Sequence, residues 1–151
     1  MKKIKLHRVS YSPGYCDMMG GGHEVSLEKG GDGNWNYICR DREDHSAPQV
    51  TTVYAVSEEA ADRFADFIQK KRVISLKNRP KSDIFATDYS PWRWNIDYET
   101  TLFGKKKTVY CGFGEYKVYS GRDRRLLKEL SERFRALRGE KISETVEEDE
   151  Q

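Results

Sequence analysis

The sequence predicts an α+β domain in which two helices pack on one face of a mainly antiparallel sheet of about six strands. Apolar and polar residues alternate over the first third of the chain, and the period then changes to that of an amphipathic helix. The second half repeats this order with two alternating segments and a helix, so the predicted element order is ββββ-α-ββ-α. Strands that are grouped ahead of each helix and joined by short turns favour this class over a doubly wound parallel sheet.

Four alternating segments open the chain. Residues 3–12 alternate imperfectly, as a strand with a bulge would, whereas residues 23–29 alternate cleanly. Residues 34–41 alternate again after a segment rich in Gly and Asp at residues 30–34, and such segments close hairpins. Residues 50–56 are rich in β-branched side chains. The sequence therefore predicts an antiparallel meander of four strands.

Residues 57–72 have the pattern of an amphipathic helix. Ser57 is in place to cap the first turn, acidic residues follow it, and basic residues occupy the last turn. One stripe along this helix is largely apolar and is predicted to face the sheet: Ala60, Phe64, Phe67, Ile68 and Lys71.

The second half contains a predicted hairpin and a second helix. Residues 92–103 alternate, residues 104–106 form the turn, and residues 107–119 form the return strand. Leucines and a phenylalanine recur at helical spacing over residues 122–138, and Gly139 is predicted to end this helix.

One domain, residues 1–139, accounts for all of these elements. Residues 140–151 contain six acidic residues and one lysine, which predicts a disordered acidic tail. The apolar runs are too short to cross a bilayer, and no apolar region follows the first lysines, so neither a membrane segment nor a secretory signal is predicted. Three widely spaced cysteines, Cys16, Cys39 and Cys111, are typical of free thiols in a reducing compartment, and the predicted location is cytoplasmic.

The segment at residues 14–25 combines three consecutive glycines with Cys16, Asp17 and His23, which are candidate ligand-binding residues. A phosphate-binding loop is not predicted, because its glycines must lead into a helix and these lead into a strand. A zinc site needs about four ligands, and this segment offers three, so no metal or cofactor is predicted. His23 could activate Cys16 as a nucleophile, since a nearby base suffices to form a thiolate. The favoured interpretation is a strand-joining loop that borders a binding site.

A second candidate binding segment spans residues 83–94. Asp83 or Asp88 would be the polar anchor of a ligand pocket, with Trp92 as an aromatic wall. The competing interpretation is structural, because aromatic residues dominate cores and an aspartate shortly before a proline commonly forms a turn.

The third candidate is the basic segment at residues 105–138, which holds eleven Lys or Arg against four Asp or Glu. Interleaved aromatic residues make it a candidate surface for RNA or single-stranded DNA. Glutamates interrupt the charge of the helix, however, and no nucleic-acid-binding motif is present. The candidate contacts are Lys105, Lys106, Lys107, Arg122 and Arg125.

The sequence contains no complete catalytic constellation, metal motif or nucleotide loop. We therefore expect a non-enzymatic binding or protein-interaction module that associates with a partner protein or with itself. A small-molecule ligand is compatible with this expectation. Two alternatives remain open: a cysteine-dependent enzyme that uses Cys16 and His23, and a nucleic-acid-binding domain that uses the basic segment.

Overall fold

A computed structural model describes residues 4–14, 22–43, 46–83 and 91–147. Within these residues, seven strands form one antiparallel sheet with the order β6-β5-β1-β2-β3-β4-β7. The strands are β1 (Lys5–Ser12), β2 (Gly22–Lys29), β3 (Trp35–Arg42), β4 (Gln49–Val56), β5 (Arg93–Leu102), β6 (Lys105–Gly114) and β7 (Lys141–Glu147). The helices are α1 (Glu58–Lys70), a 3₁₀ helix (Val73–Asn78) and α2 (Gly121–Arg135). The predicted α+β class with a mainly antiparallel sheet is confirmed.

The predicted strand count of six is one short, because β7 lies in the segment predicted to be a disordered tail. Residues 141–147 pair antiparallel with β4, for example Val146 with Val50. All seven side chains of β7 are exposed, so its stabilisation comes from backbone pairing rather than from burial. This explains why the composition of the segment predicted disorder. Residues 148–151 lie outside the described part of the chain.

The sequence predicts that Gly139 ends α2, but the helix already ends at Arg135. Instead, Gly139 brings the chain against β4: its N–H donates to the Ala55 carbonyl (3.0 Å), and the Ala55 N–H donates to the Glu140 carbonyl (2.7 Å). A Cβ atom at residue 139 would collide with the carbonyl oxygen of Ala55. The absence of a side chain therefore permits the approach that places β7 beside β4.

Replacing Gly139 with alanine is expected to lower the free energy of unfolding by about 1–3 kcal/mol, because the backbone must shift to relieve this collision. The matched control is Gly121→Ala in the first turn of α2, where the nearest atom to an added Cβ is 4.0 Å away on the flexible side chain of Arg125. This control is expected to be neutral or slightly stabilising. Urea denaturation measures both variants, and equal midpoints would contradict the assigned role of Gly139.

The two α-helices pack on the same face of the sheet, as predicted, and share one core. Ser57 accepts a hydrogen bond from the Ala60 N–H (3.1 Å), which confirms the predicted cap of α1. The helix buries Ala61, Phe64, Phe67 and Ile68, whereas Ala60 of the predicted stripe is only partly buried. On the sheet, one row of paired residues faces the helices: Tyr54, Tyr37, Leu27, Val9, Ile96 and Cys111.

The opposite face of the sheet, which neither α-helix covers, carries a network of ion pairs. Arg8 Nη2 lies 2.7 Å from Glu24 Oε1, and Arg40 Nη2 lies 3.3 Å from Glu28 Oε2. Ser26 is fully buried beneath these side chains, and its hydroxyl accepts a hydrogen bond from Arg40 (3.1 Å). Charged side chains are therefore paired at the centre of this face.

The connection between α1 and β5, which the sequence predicts as an irregular loop with short turns, contains the 3₁₀ helix. Val73 and Leu76 of this helix are fully buried, and Cys111 of β6 contacts the Ile74 carbonyl (Sγ to O, 3.6 Å). Arg79, just beyond it, forms an ion pair with Asp123 in the first turn of α2. Among the described residues, no helix has the length and apolar character that a membrane crossing requires.

Candidate functional site

A cleft of about 410 Å³ lies between the C-terminal half of α2 and the ends of β1, β2 and β3. We call it the α2 cleft. Its floor consists of Trp94, Tyr37 and Phe134, which are 1%, 4% and 2% exposed. Two arginines lie at its rim: Arg135, the last residue of α2, and Arg138, three residues beyond the helix. The cleft thus joins an apolar floor to a positively charged border.

Aromatic contacts hold the floor in place. The rings of Tyr11 and Trp94 stack with centroids 4.5 Å apart, and Trp94 meets Phe134 edge-on at 5.2 Å. Phe134 also contacts the ring of Tyr37 at 5.2 Å. Since these rings come from three strands and a helix, the floor is rigid and matches the flat apolar part of a ligand.

The contacts of the two rim arginines with described residues involve no acidic side chain. Arg135 donates to the Ser131 carbonyl (3.4 Å), and Arg138 lies over the ring of Tyr54 at 5.1 Å. Among the residues that the structure describes, no carboxylate forms an ion pair with either guanidinium, whereas the neighbouring Arg133 pairs with Glu129 (3.7 Å). The cleft therefore presents two positive charges that an anion could neutralise.

Burial favours the protonated forms of three groups in the cleft, Tyr11, Tyr37 and Cys39. It raises the pKa of the Tyr11 phenol, and it raises the pKa of Tyr37 to about 12, although Arg135 acts in the opposite direction on both. Burial also raises the pKa of the Cys39 thiol, against the lowering effect of Arg138. At neutral pH the phenols are hydrogen-bond donors and the thiol is not a nucleophilic thiolate. These groups suit binding better than covalent chemistry.

His23, predicted as a site residue, does line the α2 cleft. Its Nδ1 atom is hydrogen bonded to the carboxylate of Asp41, which lies opposite it on β3. Cys39 is the cross-strand partner of Val25, so its position is diagonal to His23. Asp41 was not among the predicted site residues, although a hairpin closed at residues 30–34 predicts that it pairs with His23.

Three of the other predicted site residues belong to parts of the chain that the structure does not describe. Cys16 and Asp17 of the glycine-rich segment and Asp88 of the second segment lie outside the described residues. Trp92 lines a separate cavity of about 540 Å³ where the β5–β6 hairpin joins the rest of the chain. Asp83 is exposed and is not part of the lining of that cavity.

The basic residues of the third candidate form two groups rather than one surface. Lys105, Lys106 and Lys107 begin β6 at the hairpin turn, whereas Arg122 and Arg125 lie at the start of α2, beyond the other end of that strand. The ten residues of β6 span about 30 Å. The structure therefore does not bring the two groups together.

Within the described ranges, no group of three or more His, Cys, Asp or Glu side chains could hold a metal ion. The residues that define the α2 cleft most clearly, Arg135 and Arg138, were noted in the sequence only as part of a basic helix.

The chain matches no protein-family model, no curated protein and no solved structure.

Proposed function

We propose that the protein is a non-enzymatic binding module that takes a small organic anion with an apolar body into the α2 cleft. One observation carries the proposal: Arg135 and Arg138 lie at the rim of a buried aromatic floor, and no described carboxylate pairs with either of them. The cleft volume of about 410 Å³ lies in the range of small-molecule sites.

Each part of the cleft supplies a different part of the recognition. The rings of Trp94 and Phe134 remove the apolar body of the ligand from water, which is the main source of affinity. A guanidinium group offers two parallel N–H donors, which fit the oxygens of a carboxylate, sulfonate or phosphate. The protonated phenol of Tyr37 adds a neutral donor.

An aromatic sulfonate, 8-anilinonaphthalene-1-sulfonate, is a direct probe of this proposal, and N-phenyl-1-naphthylamine is its uncharged analogue. Fluorescence titration of the Arg135→Gln/Arg138→Gln variant is expected to show at least a tenfold loss of affinity for the sulfonate, because charge-assisted hydrogen bonds contribute about 1.5–3 kcal/mol each. Affinity for the uncharged analogue should stay the same.

The matched control is Arg122→Gln/Arg124→Gln, which removes the same charge from exposed positions at the other end of α2. This variant should bind the sulfonate as the natural protein does. Equal losses in the two double variants would show that net charge alone attracts the probe, and the proposed site would then be wrong.

A cysteine-dependent enzyme is the second candidate, and the His23–Asp41 pair supports it, because a histidine oriented by a carboxylate is the usual base beside a nucleophile. The raised pKa of Cys39 argues against that thiol as the nucleophile, and Cys16 lies outside the described residues. Iodoacetamide labelling followed by peptide mass spectrometry separates the two proposals. An enzyme requires one cysteine to react much faster than the other two, and uniformly slow labelling supports a binding module.

We also propose that the protein is cytoplasmic and that it associates with a partner protein or with a second copy of itself. The sheet face opposite the helices and the outer strands β6 and β7 are the surfaces for such contacts. Native mass spectrometry of the untagged protein reports the subunit count and any bound anion in one measurement. Nucleic-acid binding has less support, because its two basic groups lie at opposite ends of β6.

A further inference from the structure

The hairpin of β5 and β6 extends beyond the strand next to it. Among the described residues, the pairing of β1 with β5 stops at Lys5 opposite Glu99, whereas β5 and β6 stay paired as far as Leu102 opposite Lys105. Three residue pairs therefore project past the end of β1, a length of about 10 Å. We call residues 100–107 the hairpin tip. It shares no residue with the α2 cleft, so the following argument does not depend on the proposed function.

The turn of the hairpin tip carries two exposed apolar side chains. Phe103 is 91% exposed, and Leu102 beside it is 48% exposed. The turn stands in open space, because a Cβ atom on Gly104 would have no described atom within 4 Å. Single exposed apolar residues are common on protein surfaces, but these two are adjacent at the end of a projecting hairpin.

The backbone at Phe103 is unfavourable for a bulky side chain. Phe103 and Gly104 occupy the two central positions of the turn, with φ values of 50° and 76°. A two-residue hairpin turn with positive φ at both positions strongly prefers asparagine, aspartate or glycine at the first of them. Phe103 therefore neither suits the turn nor packs in the core. A strained and exposed aromatic residue indicates a contact outside the chain.

Lysines surround the base of the hairpin tip. Lys105, Lys106 and Lys107 are all exposed, and residues 100–107 include no acidic residue. Successive side chains of a strand point to opposite faces, so Lys106 lies on one face of the hairpin and the other two lysines lie on the opposite face. The apolar end of the hairpin thus has positive charge behind it on both faces.

This arrangement fits the surface of an anionic lipid bilayer. The interfacial region of a bilayer accepts apolar and aromatic side chains, while lysines stay at the level of the charged headgroups. Nucleic acid fits less well, because a projecting turn offers no groove for a strand and Leu102 offers no ring for a base to stack on. The positive charge of the tip also opposes contact between the tips of two copies.

We propose that the hairpin tip is a membrane-contact site that attaches the protein reversibly to a surface of anionic phospholipid. Phe103 and Leu102 enter the interfacial region, and Lys105, Lys106 and Lys107 lie against the headgroups. Apolar burial and charge attraction both contribute to the attachment, so removal of either should weaken it.

Co-sedimentation with lipid vesicles tests this site. One set of vesicles consists of phosphatidylcholine, and the other contains phosphatidylserine as about one third of the lipid. We expect the partition coefficient to be at least about tenfold higher for the anionic vesicles and to fall as the NaCl concentration is raised. Equal partition into the two kinds of vesicle, or no binding to either, would overturn the proposal.

The Phe103→Asn variant removes the apolar side chain without weakening the turn. Asparagine is favoured at this position, so the urea midpoint should equal or exceed that of the natural protein. Partition into the anionic vesicles should fall by about fivefold or more, because an apolar ring no longer leaves water. The matched control is Tyr110→Thr, which removes an aromatic ring that is also exposed (77%) but lies on β6 beyond the tip. Unchanged partition is expected for this control, and equal losses in the two variants would contradict the assigned site.

Sedimentation velocity without vesicles distinguishes a lipid surface from a second copy of the chain. The proposal requires the natural protein and Phe103→Asn to have the same subunit count. If the substitution converts an oligomer into a monomer, the tip joins copies of the chain and the membrane proposal is wrong.

Discussion

Replacing Phe134 with alanine is expected to lower the free energy of unfolding by about 3–5 kcal/mol. Phe134 is 2% exposed, and its ring contacts Tyr37 at 5.2 Å, Phe64 at 5.8 Å and Trp94 at 5.2 Å. It therefore joins α2 to α1 and to two strands of the sheet. The neighbouring rings cannot collapse into the space that the alanine leaves, so the variant retains a cavity in addition to losing buried apolar surface.

The chain offers a matched control for the same substitution. Phe103 lies in the turn between β5 and β6, is 91% exposed, and adopts a left-handed backbone conformation (φ 50°). Phe103→Ala should change stability by no more than about 0.5 kcal/mol, since it removes no buried contact. Urea denaturation followed by circular dichroism compares the two variants. A loss below about 1 kcal/mol for Phe134→Ala would show that the core around α2 can repack.

The Phe134→Ala variant also links stability to the proposed site. Phe134 forms the part of the cleft floor that α2 contributes, so its loss should weaken binding of the sulfonate probe and of its uncharged analogue alike. The arginine variants should weaken only the charged probe. These two patterns distinguish loss of the apolar floor from loss of the charged rim.

Elements specified by local signals were predicted well from the sequence. The predicted helix at residues 57–72 agrees with α1, because the cap at Ser57 and the apolar stripe are both short-range features. A comparable local signal begins α2, where Ser120 accepts a hydrogen bond from the Asp123 N–H (3.1 Å). β7 was missed because none of its side chains is buried, and it forms only where Gly139 and Glu140 meet Ala55 of β4.

The candidate site was only partly predictable. His23 could be identified because a single histidine beside a glycine-rich segment is chemically distinctive, and the structure places it on the α2 cleft. The cleft itself forms where α2 crosses the sheet, so it joins Tyr11, Tyr37 and Trp94 to Arg135 and Arg138. Those contacts are far apart along the chain, and alternation or helical spacing cannot specify which strand a helix residue will face.

Replacing Asp123 with alanine is expected to lower the free energy of unfolding by about 2–3 kcal/mol. The carboxylate accepts two hydrogen bonds from Arg79, from Nε at 2.8 Å and from Nη2 at 3.0 Å, and its side chain is only 8% exposed. It also accepts from the Ser120 N–H (3.4 Å) in the capping box of α2. One side chain thus closes the first turn of α2 and joins it to the end of the 3₁₀ helix.

The exposed pair Glu129–Arg133 is the comparison for this prediction. Its atoms lie 3.7 Å apart on the surface of α2, and its side chains are 36% and 54% exposed. Such pairs contribute little, so Glu129→Ala should lower stability by no more than about 0.5 kcal/mol. A similar loss for Asp123→Ala would mean that the bidentate pair adds nothing beyond a surface contact.

The Asp123→Asn variant tests how the stabilisation by the Asp123–Arg79 ion pair depends on pH. The hydrogen bonds from Arg79 hold the pKa of the Asp123 carboxyl below its ordinary value of 3.8. Because the folded protein binds this proton less readily than the unfolded chain, the charged carboxylate stabilises the fold at every pH well above that value. The contribution declines as the pH falls below about 4 and is lost once the pH passes through the folded pKa. The urea midpoints of the natural protein and of Asp123→Asn should therefore differ most near pH 7 and converge towards pH 3. A constant difference across this range would show that the ionised carboxylate is not what stabilises the start of α2.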